Sequence, residues 1–176
     1  MNVTDLGEPR EPPRREFYLR RVVAQSNLAN TYSKMGRLEE ALQIERDVYS
    51  GRLKLNGEEH YDTLIGANNY ANSLTRLDRF EEAKALLLRM IPVARRVLGE
   101  SHDVTLRIRA MYARPLYQAP DATLDDLREA VTTLEDLARI ARRVLGGAHP
   151  VVAQVQVDLG NAQAALRARE TPSPSA

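Results

Sequence analysis

Asn27–Ala41 (NLANTYSKMGRLEEA) returns 42 residues later as Asn69–Ala83 (NYANSLTRLDRFEEA), and this return decides the fold. The junction Gly57, His60, Thr63 and Leu64 recurs at the same offset as Gly99, His102, Thr105 and Leu106. A third unit keeps Tyr112, Ala113 and Leu116 in register and then slips by five residues. After the slip Glu82-Ala83 corresponds to Glu129-Ala130, and Ala94–Gly99 to Ala141–Gly146. The five additional residues are Ala119-Pro120-Asp121-Ala122-Thr123, and a last half-unit restates the opening as Asp158-Leu159-Gly160-Asn161. A fixed period of this length marks a repeat array, in which each unit buries its apolar face only against its neighbours.

Each unit reads as two helices. Leu28, Tyr32 and Met35 share one face at helical spacing, and Leu38, Ala41, Leu42, Val48 and Tyr49 form a second amphipathic set after Gly36. Asn56-Gly57 closes the second helix with a residue suited to left-handed backbone. Pro150 suits the first turn of the closing helix, where its missing N–H costs nothing. Thr123 with Asp126 opens the helix after the insertion in the manner of a capping box. The chain is therefore expected to be all-α, with about seven helices in about 3.5 helical hairpins. The repeat domain is placed at 17–168, with units at about 17–60, 61–102 and 103–149 and a half-unit at 150–168. The Pro-rich residues 1–16 and the tail 169–176 are expected to be disordered.

With 176 residues, a net charge of +1 and no cysteine, the composition excludes a disulfide framework, thiolate metal sites and a strong field for nucleic acid. The longest apolar run, Ala85–Leu88, is far short of a membrane span, and no apolar signal core precedes Arg15. A cytoplasmic protein without a membrane partner is expected.

The pattern Asn-Leu-Ala-x-x-Tyr at Asn27, Gly-Arg-Leu-Glu-Glu-Ala at Gly36 and Arg-Val-Leu-Gly-x-x-His at Arg96, spaced by 42 residues, resembles the tetratricopeptide repeats of kinesin light chains. The resemblance covers about Ala24 to Leu166. It implies a tetratricopeptide-like α-solenoid in a right-handed superhelix that acts as a non-catalytic scaffold. It also implies a concave groove, lined by the first helix of each pair, that holds peptide segments of other proteins. In that family the Asn before Leu-Ala is a recurrent peptide contact, which carries over to Asn27 and Asn69. The heptad coiled coil that precedes the repeats in kinesin light chains has no counterpart here.

Helical geometry groups Asn27, Asn30 and Lys34 away from the apolar face. Their counterparts are Asn69, Asn72 and Arg76, then Met111, Arg114 and Gln118, and finally Asp158 and Asn161. Carboxamides both donate to and accept from an extended backbone, and a guanidinium forks onto a carboxylate. The candidate groove residues are therefore Asn27, Asn30, Lys34, Asn69, Asn72, Arg76, Arg114 and Gln118. Lys34, Arg76 and Arg114 bias the groove towards acidic segments. The alternative is that the repeats form the regulatory or oligomerising portion of a larger signalling or enzymatic protein.

Other chemistry is not supported. His60, His102 and His149 occupy equivalent junctions about 16–20 Å apart, from a helix spacing of 8–10 Å, so they suit helix-start hydrogen bonds and not one metal ion. The pairs Arg95-Arg96 and Arg142-Arg143 read as a solvated outer face, without the aromatic platforms of a nucleic-acid site. No phosphate loop or nucleophile elbow appears, so no catalytic residue, metal or cofactor is assigned. Pro92 and Pro115 fall inside predicted helices and are expected to kink them.

Overall fold

The computed structural model describes residues 14–171, which the repeat punctuation divides into seven helices. They are α1 (Arg14–Lys34), α2 (Leu38–Asn56), α3 (Tyr61–Arg76), α4 (Phe80–Leu98), α5 (Asp103–Gln118), α6 (Leu124–Leu145) and α7 (Pro150–Glu170). No strand occurs among the described residues. The first helix begins three residues ahead of the predicted 17, immediately after Pro13, and the last extends two beyond 168. Such end differences are ordinary for helix termini. Of the two segments predicted to be disordered, residues 1–13 and 172–176 lie outside the described residues.

The same devices punctuate successive units. Gly57, Gly99 and Gly146 follow α2, α4 and α6 with φ between 81° and 91°, a region closed to most L side chains. Three residues later a histidine opens the next helix. The Nδ1 atoms of His60, His102 and His149 accept from the backbone N–H of Asp62, Val104 and Val151 at 3.2–3.3 Å. Each thereby satisfies one of the orphan donors at a helix start. The turn within a unit uses Gly36 at φ 77° and, in register, Asp78 at φ 56°. Arg37 then grips Glu40, and Arg79 grips Glu82, holding both carboxyls below their usual range. In the third unit α6 starts three residues ahead of that register, with Thr123 and Asp126 at its opening, and both halves of the predicted capping box form. The Thr123 hydrogen bonds likewise lower the Asp126 carboxyl.

Each helix packs on its neighbour in sequence, and α3, α5 and α7 also pack on one another in series. The odd helices thus form one layer and the even helices another, the arrangement of an all-α solenoid. Two main cores fill it. One joins Leu64, Leu87, Met90 and Ile108, and the other joins Leu106, Leu134, Leu137 and Val155. Both α4 and α5 run through their prolines. Pro92 is exposed and Pro115 is buried.

The pattern breaks at three core positions where the first unit meets the second. Glu45 stands where later units have Leu87 and Leu134, Arg52 where they have Ala94 and Ala141, and Gly66 where they have Ile108 and Val155. The Arg52 stem lies 3.3 Å from the place a Cβ on Gly66 would take, so the glycine makes room for the arginine. Arg52 Nη1 donates to the Asp62 carbonyl at 3.1 Å. Glu45 is 3% exposed, and its Oε2 has no hydrogen-bond partner. Burial raises its pKa from 4.5 to about 7, against the attraction of Arg52.

Candidate peptide groove

The odd helices carry the predicted polar stripe. On α1, Asn27, Asn30 and Lys34 are exposed; on α3, Asn69 and Asn72 are half-buried and Arg76 is exposed; on α5, Arg114 is half-buried and Gln118 exposed. Stacking brings some of them together. Arg114 Nη1 lies 3.4 Å from Asn72 Oδ1, and Arg76 Nη2 donates to the Ser33 carbonyl at 3.0 Å, near the C-terminal end of α1. Among the described residues Gln118 hydrogen-bonds through its side chain to Tyr117 Oη alone, at 3.5 Å, and it lines a separate recess with Asp78, Pro120 and Asp121.

Arg114 is not a bare cation. Its Nε donates to both oxygens of Asp158 at 3.2 Å, and the Asp158 side chain is 4% exposed. Tyr117 Oη and Gln154 Nε2 also donate to Asp158 Oδ1, at 3.0 and 3.2 Å. Burial and the Asp158 charge push the Tyr117 hydroxyl up to about 12, which keeps it protonated and donating. A buried carboxylate needs such partners. The third unit therefore carries a neutral ion pair on the polar stripe where the sequence suggested positive charge. Lys34 and Arg76 have no carboxylate within salt-bridge distance among the described residues.

Beside this ion pair lies a cavity of about 270 Å³ between α3, α5 and α7. Met111, Val151 and Val155 supply an apolar floor, and Asn68, Arg107, Gln154 and Asp158 are among its polar walls. Asn68 Oδ1 is buried and unpartnered. Sequence reasoning did not select Asn68, Arg107 or Gln154. Helical spacing carries the signal for two of them, since Arg107 is two turns before Arg114 and Gln154 is one turn before Asp158 on the same faces. Asn68 is next to a stripe residue and has no comparable signal.

The three histidines are divided among separate junctions, and no group of three or more His, Asp or Glu residues is arranged to hold a metal among the described residues. No helix among them is long and apolar enough to cross a membrane.

A tetratricopeptide repeat family model matches residues 22–62 and 63–103. The fold is similar to a crystal structure from Podosopora anserina, described as a kinesin light chain with nearly identical TPR-like repeats. Identity is 27%, the TM-score 0.71, and the match covers 82% of this chain and 66% of that one. A second structure of such repeats from the same organism is 20% identical, with a TM-score of 0.52 over 85% of this chain and 88% of that one. BtubC (BKLC) from P. vanneervenii is 16% identical, with a TM-score of 0.53 over 88% of this chain and 66% of that one. These last two likenesses concern the fold alone. No curated protein sequence matches.

Proposed function

Because the chain is a tetratricopeptide-repeat protein of the kinesin light chain-like type, we propose that it is a non-catalytic adaptor. In this reading its groove holds an extended, acidic peptide segment of another protein, and the adaptor is cytoplasmic and works without a cofactor, a membrane or nucleic acid. Repeats of this kind serve as protein-interaction scaffolds, and the finer reading rests chiefly on one observation. Asn68 Oδ1 is buried without a donor, beside half-buried Asn69 and Asn72 and an apolar-floored cavity. A buried acceptor without a partner is costly, and the N–H groups of an extended chain are suitable donors. The carboxamides of Asn27, Asn30, Asn69 and Asn72 can serve both the donors and the acceptors of the same backbone. Lys34 and Arg76 favour acidic residues over the first two units, whereas Arg114 is already matched by Asp158.

The test is a pull-down from cell extract with wild type, with Asn69→Ala plus Asn72→Ala, and with Arg76→Glu. Circular dichroism confirms that each variant is folded. The proposal expects the captured set to shrink in both variants, and any peptide mapped from it to bind at least about tenfold more weakly, or about 1.4 kcal/mol. An unchanged captured set and unchanged affinities would remove the groove assignment.

The alternative of an oligomerising or regulatory repeat portion has its own supporting observation. Leu28 and Met35 are 44% and 64% exposed on and just after α1, while the equivalent Tyr70 and Leu77 pack against the core cluster of Leu42, Leu74 and Ala83, with the Tyr49 and Tyr70 rings 6.0 Å apart. Light scattering across a concentration series, with Leu28→Asp plus Met35→Asp as the control, separates a self-associating portion from a monomeric adaptor.

A further inference from the structure

The three junctions that join one unit to the next differ in charge. The α2–α3 junction carries Glu58, Glu59 and Asp62, and the α4–α5 junction carries Glu100 and Asp103. The α6–α7 junction, Gly146-Gly147-Ala148-His149-Pro150, carries no acid, and Gly147 and Pro150 stand in register with Glu100 and Asp103. The arginines do not change with it, since Arg95-Arg96 is matched by Arg142-Arg143.

In the second unit both guanidiniums are paired, Arg95 Nε with Glu100 at 2.7 Å and Arg96 Nη2 with Glu59 at 2.7 Å. In the third unit, among the described residues, neither Arg142 nor Arg143 has a carboxylate within 4.0 Å. Both are exposed and sit in the last turn of α6. The C-terminal dipole of α6 offsets only about half a charge, and the α7 N-terminus, which has no acid in its first turn, returns about as much of the opposite sign. Nearly two positive charges are left over at this end of the array.

They face an open recess of about 520 Å³ between α6 and α7, walled also by Arg139, Gln156 and Leu159. Arg139 is occupied by Asp136. At about 100° per residue, the midpoint of Gln156 and Leu159 lies about 150° around α7 from the midpoint of Gln154 and Asp158, which line the cavity beside the polar stripe. The recess is therefore distinct from the groove.

We propose that this recess is a second binding surface, for an acidic segment of a partner protein presenting adjacent carboxylates to Arg142 and Arg143. Guanidinium forks match carboxylate geometry, Gln156 brings an amide that can donate to the same segment, and Ala138 and Leu159 form a short apolar wall for a neighbouring side chain. No aromatic ring lines the recess, so it has no stacking platform for a nucleobase.

Titration of the isotope-labelled full chain with hexaglutamate, followed at the amides of Gly146 and Gly147 and the Gln156 side chain, reads this site separately from the groove. These resonances are expected to shift and saturate in low salt. Arg142→Gln plus Arg143→Gln should weaken binding about tenfold, the combined worth of two exposed charge contacts. Arg95→Gln plus Arg96→Gln, which removes the same charge from the paired site, should change it less than about twofold. The proposal is overturned if the resonances do not move, if the two double variants weaken binding equally, or if hexathymidylate binds these positions more tightly than hexaglutamate.

Discussion

Glu45→Gln should change how the stability of this protein depends on pH. The Glu45 carboxyl is buried, one oxygen has no partner, and its pKa stands at about 7 against 4.5 for a free glutamate. Below pH 4.5 the group is protonated in both folded and unfolded chains and costs nothing. As pH climbs from about 4.5 to about 7 the unfolded chain releases the proton first, so folding stability falls by about 1.4 kcal/mol per pH unit and then levels off. The whole loss is about 3 kcal/mol, a large share of the stability of a domain this size. The carboxyls of Glu40, Glu82 and Asp126 work in the opposite direction, because lowered pKa values lose stability as pH falls. They are common to both proteins, so the difference between wild type and variant isolates Glu45. Urea unfolding followed by circular dichroism at pH 4.5, 6 and 8 measures that difference, and hydrogen exchange localises it to α1–α3. Glu45→Gln should gain about 3 kcal/mol on wild type between the lowest and highest pH. Glu45→Leu, which restores the side chain of the later units, should show the same pH trend and a higher stability throughout. A gap between wild type and Glu45→Gln that stays constant from pH 4.5 to 8 would refute the argument.

Asp158→Ala leaves the mostly buried Arg114 guanidinium without its counter-charge and should cost about 3 kcal/mol in urea unfolding, with Asp158→Asn costing less. If the alanine variant costs under about 1 kcal/mol, the pair is merely a surface contact. His149→Ala removes the side-chain acceptor at the start of α7 and should cost about 1 kcal/mol, whereas His149→Asn, which can also cap, should recover most of it.

The array was legible in the sequence because repetition multiplies weak signals. One histidine before a helix says little, but His60, His102 and His149 at equivalent places, each after a glycine, fix three boundaries together. Thr123 and Asp126 were equally clear, because a capping box is local chemistry. Side-chain partnerships across 40 or more residues were not legible. The polar stripe marks Arg114 as a groove residue, but only the stacking of α5 on α7 shows that Asp158 neutralises it. The same limit hid Asn68, whose unpartnered oxygen depends on how α3 meets its neighbours. The Glu45, Arg52 and Gly66 set was visible in principle as three departures from the repeat register, and packing shows that the arginine and glycine departures fit each other.

Because contacts among the described residues join helices that are adjacent in sequence or one apart, no tie among them runs the length of the array. Pulled from its ends, such a chain yields piece by piece instead of all at once. Each hairpin would release a contour of about 140–160 Å, from 42 to 47 residues at about 3.4 Å each. The piece carrying Glu45 is weaker above about pH 7 than in acid. The protein would then act as a graded extensible link, with one segment whose strength depends on proton concentration.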